Sequence, residues 1–180
     1  DIQSLLVSGQ LARLIPSISD SKKEEKATSI TLAAFMAVPE FASKVLAGIG
    51  VSVGKRTKID CYTEVVFKDV GKDDARRPDG LIVVRTGSKV WSALIESKIG
   101  RSELDKNQID SYLTLAKQLK IDALITFSNQ FSPSPSHHPV SVSASKTRSV
   151  GLFHFSWLSL KSTAAILVNE KGITDPDQAY

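Results

Sequence analysis

Asp79, Glu96 and Lys98 are the residues of this 180-residue sequence whose types and spacing point most directly to chemistry. They lie in the stretch 76–98, where two apolar runs flank Gly87-Ser88. A Gly-X pair is the signature of a two-residue type II′ hairpin loop. If those two residues form the loop, Thr86 pairs with Lys89, and counting back along both strands sets Asp79 opposite Glu96. Directly opposed residues share a sheet face, with Cβ atoms about 4.5 to 5.5 Å apart. Alternation puts Lys98 on the face of Glu96 and turns Ser97 the other way with Ile95 and Trp91. Val83, Val84, Leu94 and Ile95 make both faces apolar, so the two acids end a buried strand. Like charges opposed there destabilise a sheet, and a cation between them removes the conflict. Hard oxygen ligands favour Mg²⁺ or Mn²⁺, commonly held by one or two carboxylates with waters and phosphate oxygens. Such an ion activates water, and a lysine beside it orients or deprotonates that water. A surface hairpin whose acids simply pair with Lys98 and Arg77 is the alternative.

The elements around the hairpin decide how these groups are held. Helical spacing of apolar residues predicts a helix over 2–15, ended by Pro16, then a polar link and a second helix over 22–38. Pro39 suits the first position of a third helix, with Gly48 and Gly50 as stop signals. After Gly54 the texture turns to β-branched and aromatic residues, predicting strands over 61–67, 81–85 and 90–99. A helix over 103–119 follows, opened by Ser102 with Asp105 at capping-box spacing. Strands over 121–127 and 150–155 and a closing helix over 157–168 complete the order. That order predicts an α/β fold, a mixed central sheet flanked by helices on both faces. The expected organisation is an N-terminal helix and linker (1–21), one compact domain (22–170) and a C-terminal tail (171–180). Between 128 and 149 lies a Ser- and Pro-rich loop with His137 and His138 at its middle, too long for a plain connection and so either mobile or functional. No carboxylate or cysteine at ligand spacing accompanies the two histidines, so a flexible, solvated loop is the plainer reading.

Two further groups of polar residues bear on the site. In the helix after Lys98, the stripe Leu104, Gln108, Tyr112, Leu115 and Leu119 makes Gln108 a polar residue on an inward face. A core glutamine satisfied by backbone is the other reading of it. Arg76, Arg77, Lys68 and Lys72, with Lys55, Arg56 and Lys58 beyond, offer basic charge for a backbone-phosphate track, or else a solvated rim.

Composition narrows the classes. Hydrophobic residues at 42% and charged residues at 23% are those of a globular chain, which excludes disorder, collagen and coiled coil. No apolar run reaches the roughly 18 residues a membrane span needs, and no signal-peptide pattern opens the chain. The lone Cys61 excludes an internal disulfide and a cysteine-rich zinc site. A soluble, cytoplasmic protein is expected, and the net charge of +4 is compatible with a polyanionic partner.

Pro78-Asp79 followed by Glu96-Ser97-Lys98 resembles the P-D…(D/E)-x-K signature of the PD-(D/E)XK nuclease superfamily, the restriction-endonuclease-like fold. The strand-ending acid and lysine, the hairpin partner opened by Pro-Asp and the flanking helices match that superfamily's core. Gln108 and Tyr112 resemble the Gln-x-x-x-Tyr accessory motif of its recombination-nuclease and exonuclease branches. Glu25, in the run Glu24-Glu25-Lys-Ala-Thr28, looks like the acid often added from the first core helix, with Glu40 as competitor. The passage Phe153-His154-Phe155-Ser156-Trp157 also resembles uncharacterised bacterial members, and no chemistry is assigned to it. The resemblance, spanning about 22–168, implies a Mg²⁺-dependent deoxyribonuclease acting on DNA and leaving a 5′-phosphate. Asp79 and Glu96 would hold the metal, with the Ser97 carbonyl as a further candidate ligand. Lys98 would activate the water, Gln108 would position it and Glu25 would join the site. A homodimer is left open. One alternative is an inactive nucleic-acid-binding or protein-interaction module on the same fold. Another is a phosphatase-like hydrolase, for which no phosphate-cradling glycine loop is seen.

Overall fold

A computed structural model describes residues 2–19, 21–68 and 77–178. Its centre is a six-stranded mixed sheet in the order β1 to β6, so each strand lies beside its neighbour in sequence. The strands are β1 (Leu6–Leu11), β2 (Thr57–Phe67), β3 (Gly80–Thr86), β4 (Lys89–Ser97), β5 (Ala123–Ser128) and β6 (Gly151–Ser156). The first four run antiparallel to their neighbours, while β4, β5 and β6 are parallel. Four helices complete the fold: α1 (Lys23–Ala37), α2 (Pro39–Ala47), α3 (Lys106–Leu119) and α4 (Trp157–Asn169). α1, α2 and α4 pack against one face, around Ile82, Val84 and Ile95. On the other, α3 packs against Leu81, Val83 and Leu94. The expected α/β class with helices on both faces is therefore found. Among the described residues, no single helix is long and apolar enough to cross a membrane.

The β3–β4 hairpin closes in the register anticipated from Gly87-Ser88, with Thr86 opposite Lys89 and Gly80 opposite Ile95. Gly87 takes φ 60°, as the first central position of a type II′ turn requires. Pro39 begins α2 directly after Val38, and α1 and α2 meet at a bend of 106°. A proline has no N–H to continue the α1 ladder and its ring excludes the helical path.

Two expectations about helices are corrected. Residues 2–15 are not a helix: Ile2–Leu5 form one 3-10 turn, and Leu6–Leu11 form β1, the edge strand beside β2. The segment 1–21 thus supplies a strand to the sheet rather than a helix ahead of it. Val7 and Gly9 are poor helix formers, and pairing with β2 satisfies backbone groups that a marginal helix would leave to water. α3 is capped by Asp105, whose carboxylate accepts the Gln108 N–H at 2.8 Å, so the helix starts later than Ser102 implied.

The segment between β5 and β6 makes a parallel crossover with no helix. It is tied to the sheet: His138 Nε2 and His154 Nδ1 each lie 2.9 Å from Thr126 Oγ1, and His154 Nε2 is 3.0 Å from the Gln130 carbonyl. Burial lowers the His138 pKa to about 4 and lowers that of His154, so both rings are neutral near pH 7. His137 is exposed.

Gly80 opens β3 where the sheet, α1 and the chemistry meet. A Cβ there would fall 2.6 Å from Leu32 Cδ1 and 2.8 Å from the Tyr62 carbonyl oxygen. The leucine can move, but the β2 backbone cannot without breaking the ladder. Gly80→Ala should therefore cost about 1 to 3 kcal/mol, which thermal melting would read as a drop of roughly 3 to 10 °C. A melting point within a degree of wild type would show that β2 gives way freely.

Candidate active site

Glu96 is the last residue but one of β4 and only 1% exposed. Sheet alternation places it with Leu94, on the face that α3 covers. Lys98 stands just past the strand end, its Nζ 2.5 Å from Glu96 Oε1 and 3.4 Å from Glu24 Oε1. Asp79 immediately precedes β3, continuing the register opposite Glu96. Its Oδ2 accepts the backbone N–H of Ser97 at 2.8 Å and the Ser97 hydroxyl at 2.9 Å. Ser97 Oγ in turn lies 2.5 Å from Thr28 Oγ1, and Thr28 donates to the Glu24 carbonyl at 2.9 Å. Asp79, Glu96 and Lys98 are thus brought together as their spacing implied, with α1 drawn in from the opposite face.

The electrostatics are those of two buried acids and one cation. Burial, then the charge of Asp79, pushes the Glu96 pKa up to about 7 even though Lys98 opposes the shift. Burial also raises Asp79 against the Ser97 hydrogen bonds and the Lys98 charge. For Lys98 burial acts downward, but the hydrogen bond and charge of Glu96, with Glu24 and Asp79, outweigh it and hold the amine charged. Glu96 Oε2 is buried with no hydrogen-bond partner among the described residues.

Among the described residues, no hydrogen bond joins the Gln108 side chain to Asp79 or Glu96. Its Nε2 donates to the Tyr112 hydroxyl at 3.2 Å, and that hydroxyl donates to the Arg77 carbonyl at 2.9 Å. The Gln-x-x-x-Tyr pair therefore ties α3 to the chain two residues before Asp79. Tyr112 is 2% exposed, and burial together with the nearby Glu96 charge keeps its phenol protonated.

Of the three candidate acids from the helices, Glu24 is the one that reaches Lys98, and its Oε2 also accepts the Ile99 N–H at 3.2 Å. Glu25 pairs with Lys22 at 3.0 Å and lines a cavity of about 390 Å³ together with Asp79, Glu64 and Pro78. Glu40 accepts the Thr174 N–H at 3.1 Å at the start of α2. Spacing from Thr28 does not separate Glu24 from Glu25, since four residues and three both place an acid on its side of the helix.

Trp157, to which the sequence assigned no chemistry, donates its indole N–H to the Lys98 carbonyl at 2.7 Å. Arg76 and Lys72 lie outside the described residues. Lys68 donates to the Ser4 carbonyl at 2.8 Å. Lys55, Arg56 and Lys58 stand where β2 begins, beside Thr86, whereas the acids stand at the Thr63–Gly80 end. They are therefore not part of a rim around the acids.

Among the described residues, no three of His, Cys, Asp and Glu converge as a ready-made metal cage. The donor set fits an ion of the Mg²⁺ type, which takes one or two carboxylates and keeps its waters. Glu96 Oε2, which has no hydrogen-bond partner among the described residues, is the oxygen such an ion would take beside Asp79. No protein-family model, curated protein or solved structure matches this chain.

A carboxyl raised from 4.5 to about 7 on folding binds its proton more tightly in the native state. Its contribution to stability is full below about pH 4.5 and is lost as pH rises through 7, by up to about 3 kcal/mol. Glu96→Gln should remove that loss and melt higher than wild type at pH 8, with little difference at pH 5. Parallel melting curves for both proteins across this range would contradict the burial of an ionisable Glu96.

Proposed function

We propose that this chain is a Mg²⁺-dependent deoxyribonuclease that hydrolyses phosphodiester bonds in DNA and leaves a 5′-phosphate. The observation that carries the reading is Glu96, a buried carboxylate with one oxygen lacking a hydrogen-bond partner among the described residues, standing beside Asp79 and in contact with Lys98. A scaffold has no use for that arrangement, since an apolar residue would fill the position at lower cost. The same proposal covers the finer fold assignment, restriction-endonuclease-like. Its support is the order of α1, the β3–β4 hairpin, crossover helix α3 and parallel β5 around the acids.

Asp79 and Glu96 would hold the Mg²⁺ (or Mn²⁺), with the Ser97 carbonyl as a further candidate ligand. When bound, the ion neutralises the phosphate, stabilises the charge developing on it and lowers the pKa of its water. The remaining work falls to the chain. Lys98, kept charged by Glu96 and Glu24, donates to the attacking water and orients it toward phosphorus. Its place next to the metal pair is set by the strand end itself. Glu24 steadies Lys98 and the Ile99 amide from α1, while Gln108 acts through Tyr112 on the backbone that carries Asp79. Glu25, on the wall of the adjoining cavity, faces the space that a substrate backbone would enter. Removing any of these should misplace reacting groups rather than abolish binding.

The 2.5 Å Lys98–Glu96 pair favours a second reading, a DNA-binding or protein-interaction module whose site has closed upon itself without turnover. Incubation of linear and closed-circular DNA with Mg²⁺, against a chelated control, separates the two and also distinguishes cutting from ends from internal cutting. Lys98→Ala should leave Mg²⁺ and DNA binding within a few-fold of wild type while cleavage falls at least about a hundredfold. Asp79→Ala should weaken metal binding itself. Equal loss of metal affinity in both variants would contradict this division of roles.

A further inference from the structure

We infer that Trp157 is a positioning residue for Lys98: the indole N–H, spent on the Lys98 carbonyl, fixes the backbone from which the lysine reaches Glu96. The inference rests on the nuclease reading for what Lys98 does, and on geometry alone for how Lys98 is held. β4 ends at Ser97, yet the chain beyond it is held group by group. Lys98 N–H donates to the Phe127 carbonyl at 2.8 Å, extending the β4–β5 ladder by one residue. Its carbonyl accepts from Trp157 at 2.7 Å, the Ile99 N–H donates to Glu24 at 3.2 Å, and the Gly100 carbonyl accepts from Asn129 at 2.9 Å.

In a trans peptide the carbonyl and the N–H point in opposite directions. The 98–99 peptide is therefore gripped from two sides by side chains of two helices, Trp157 of α4 on its oxygen and Glu24 of α1 on its nitrogen. With that plane and the preceding ladder bond both fixed, the direction of the Lys98 Cα–Cβ bond is fixed too. Trp157 is itself a rigid donor. It is the first residue of α4, whose cap Ser156 accepts the Ser159 N–H at 3.0 Å, and its ring lies against Phe127 with centroids 5.4 Å apart. Phenylalanine would meet the packing requirement alone; only the N–H is directed at a carbonyl that no strand partner satisfies. A lysine amine on four flexible bonds needs an anchored backbone if it is to stand beside one carboxylate rather than sample the cleft.

The test replaces the donor and keeps the shape. Site-specific incorporation of 3-benzothienylalanine at position 157 substitutes sulfur for the indole N–H, 7-azatryptophan restores a donor, and Trp157→Phe is the simpler companion. With the donor removed, DNA turnover per folded molecule should fall on the order of ten- to a hundredfold while KM for DNA and Mg²⁺ affinity change by less than about twofold. The melting point should move by only a few degrees, and 7-azatryptophan should recover the rate. Independently of activity, amide hydrogen exchange of Ile99 should quicken and its nitrogen chemical shift should move, with changes confined to 98–100. Turnover unaffected by the donor, or a loss of turnover with the Ile99 amide unmoved, would overturn the inference. If the wild type cleaves no DNA the nuclease reading falls by itself. The Ile99 amide then decides alone: faster exchange without the donor supports Trp157 as the anchor of Lys98, and unchanged exchange refutes it.

Discussion

Taking a carboxylate out of water costs several kcal/mol unless its charge is matched or its proton kept, and Glu96 is buried to 1% exposure at the end of a central strand. Lys98 supplies the counter-charge at 2.5 Å, and the carboxyl also shifts toward keeping its proton, with a pKa pushed up to about 7. Neither response satisfies the second oxygen. A native core normally partners its buried polar atoms; Glu40 Oε2 and Asp110 Oδ1 share this exception, and Glu96 Oε2 differs from them in standing at a strand end beside a second acid. The surrounding hydrogen bonds can be understood as consequences. Asp79 accepts from Ser97, Tyr112 donates its hydroxyl to the Arg77 carbonyl while standing close enough to Glu96 to feel it, and Glu24 reaches across from α1.

Adjacent residues of a strand point to opposite faces, and the site uses that alternation. Glu96 faces α3 and meets the environment of Tyr112, whereas Ser97 faces α1 and meets Thr28. Asp79 joins the two layers, because its carboxylate takes the Ser97 N–H that β3, beginning only at Gly80, no longer reaches. At the last rung of the β4–β5 ladder, Lys98 keeps the side of Glu96 and its long side chain touches both Glu96 and Glu24. A cluster built this way needs helices on both faces, which ties the mixed α/β architecture to how these side chains are held.

Much of this was legible in the sequence because it depended on local rules. A two-residue turn at Gly87-Ser88 sets the register for the whole hairpin, and register alone brings Asp79 opposite Glu96. The same reasoning failed for 2–15, where apolar residues at helical spacing belong to a 3-10 turn and an edge strand. Spacing cannot reveal that β2 lacked a neighbour; only the assembled sheet supplies that demand. Glu24 and Glu25 were separated by tertiary contact in the same way. Both lie in the first turn of α1, and which of them meets Lys98 depends on how α1 crosses the strand end. Trp157 was singled out only within a passage resembling other sequences, with no chemistry assigned, because its hydrogen bond goes to a backbone atom 59 residues away.

The crossover between β5 and β6 shows how a segment with little apolar sequence can stand where a helix would normally pack. Parallel neighbours need a long connection, and burying one without secondary structure leaves polar groups to be satisfied. Here Thr126 lies next to Glu96 across the β4–β5 register and carries a hydroxyl that two imidazoles share. One tautomer assignment keeps both rings neutral and serves the three-way contact at Thr126, with the longer Thr126–Phe153 carbonyl contact at 3.3 Å left unused. His154 donates from Nε2 to the Gln130 carbonyl and so must accept at Nδ1 from Thr126, leaving the Thr126 oxygen to accept from His138 Nε2, while His138 Nδ1 accepts the Val140 N–H. Both rings are then neutral, in keeping with their depressed pKa values, and no charge is added to the face where Glu96 already stands. The His-His pair that could pass for metal ligands in the sequence instead contributes only His138, and that residue is engaged in closing the sheet beside the acids. The metal site proposed above therefore draws on the carboxylates at the end of β4 and not on these rings.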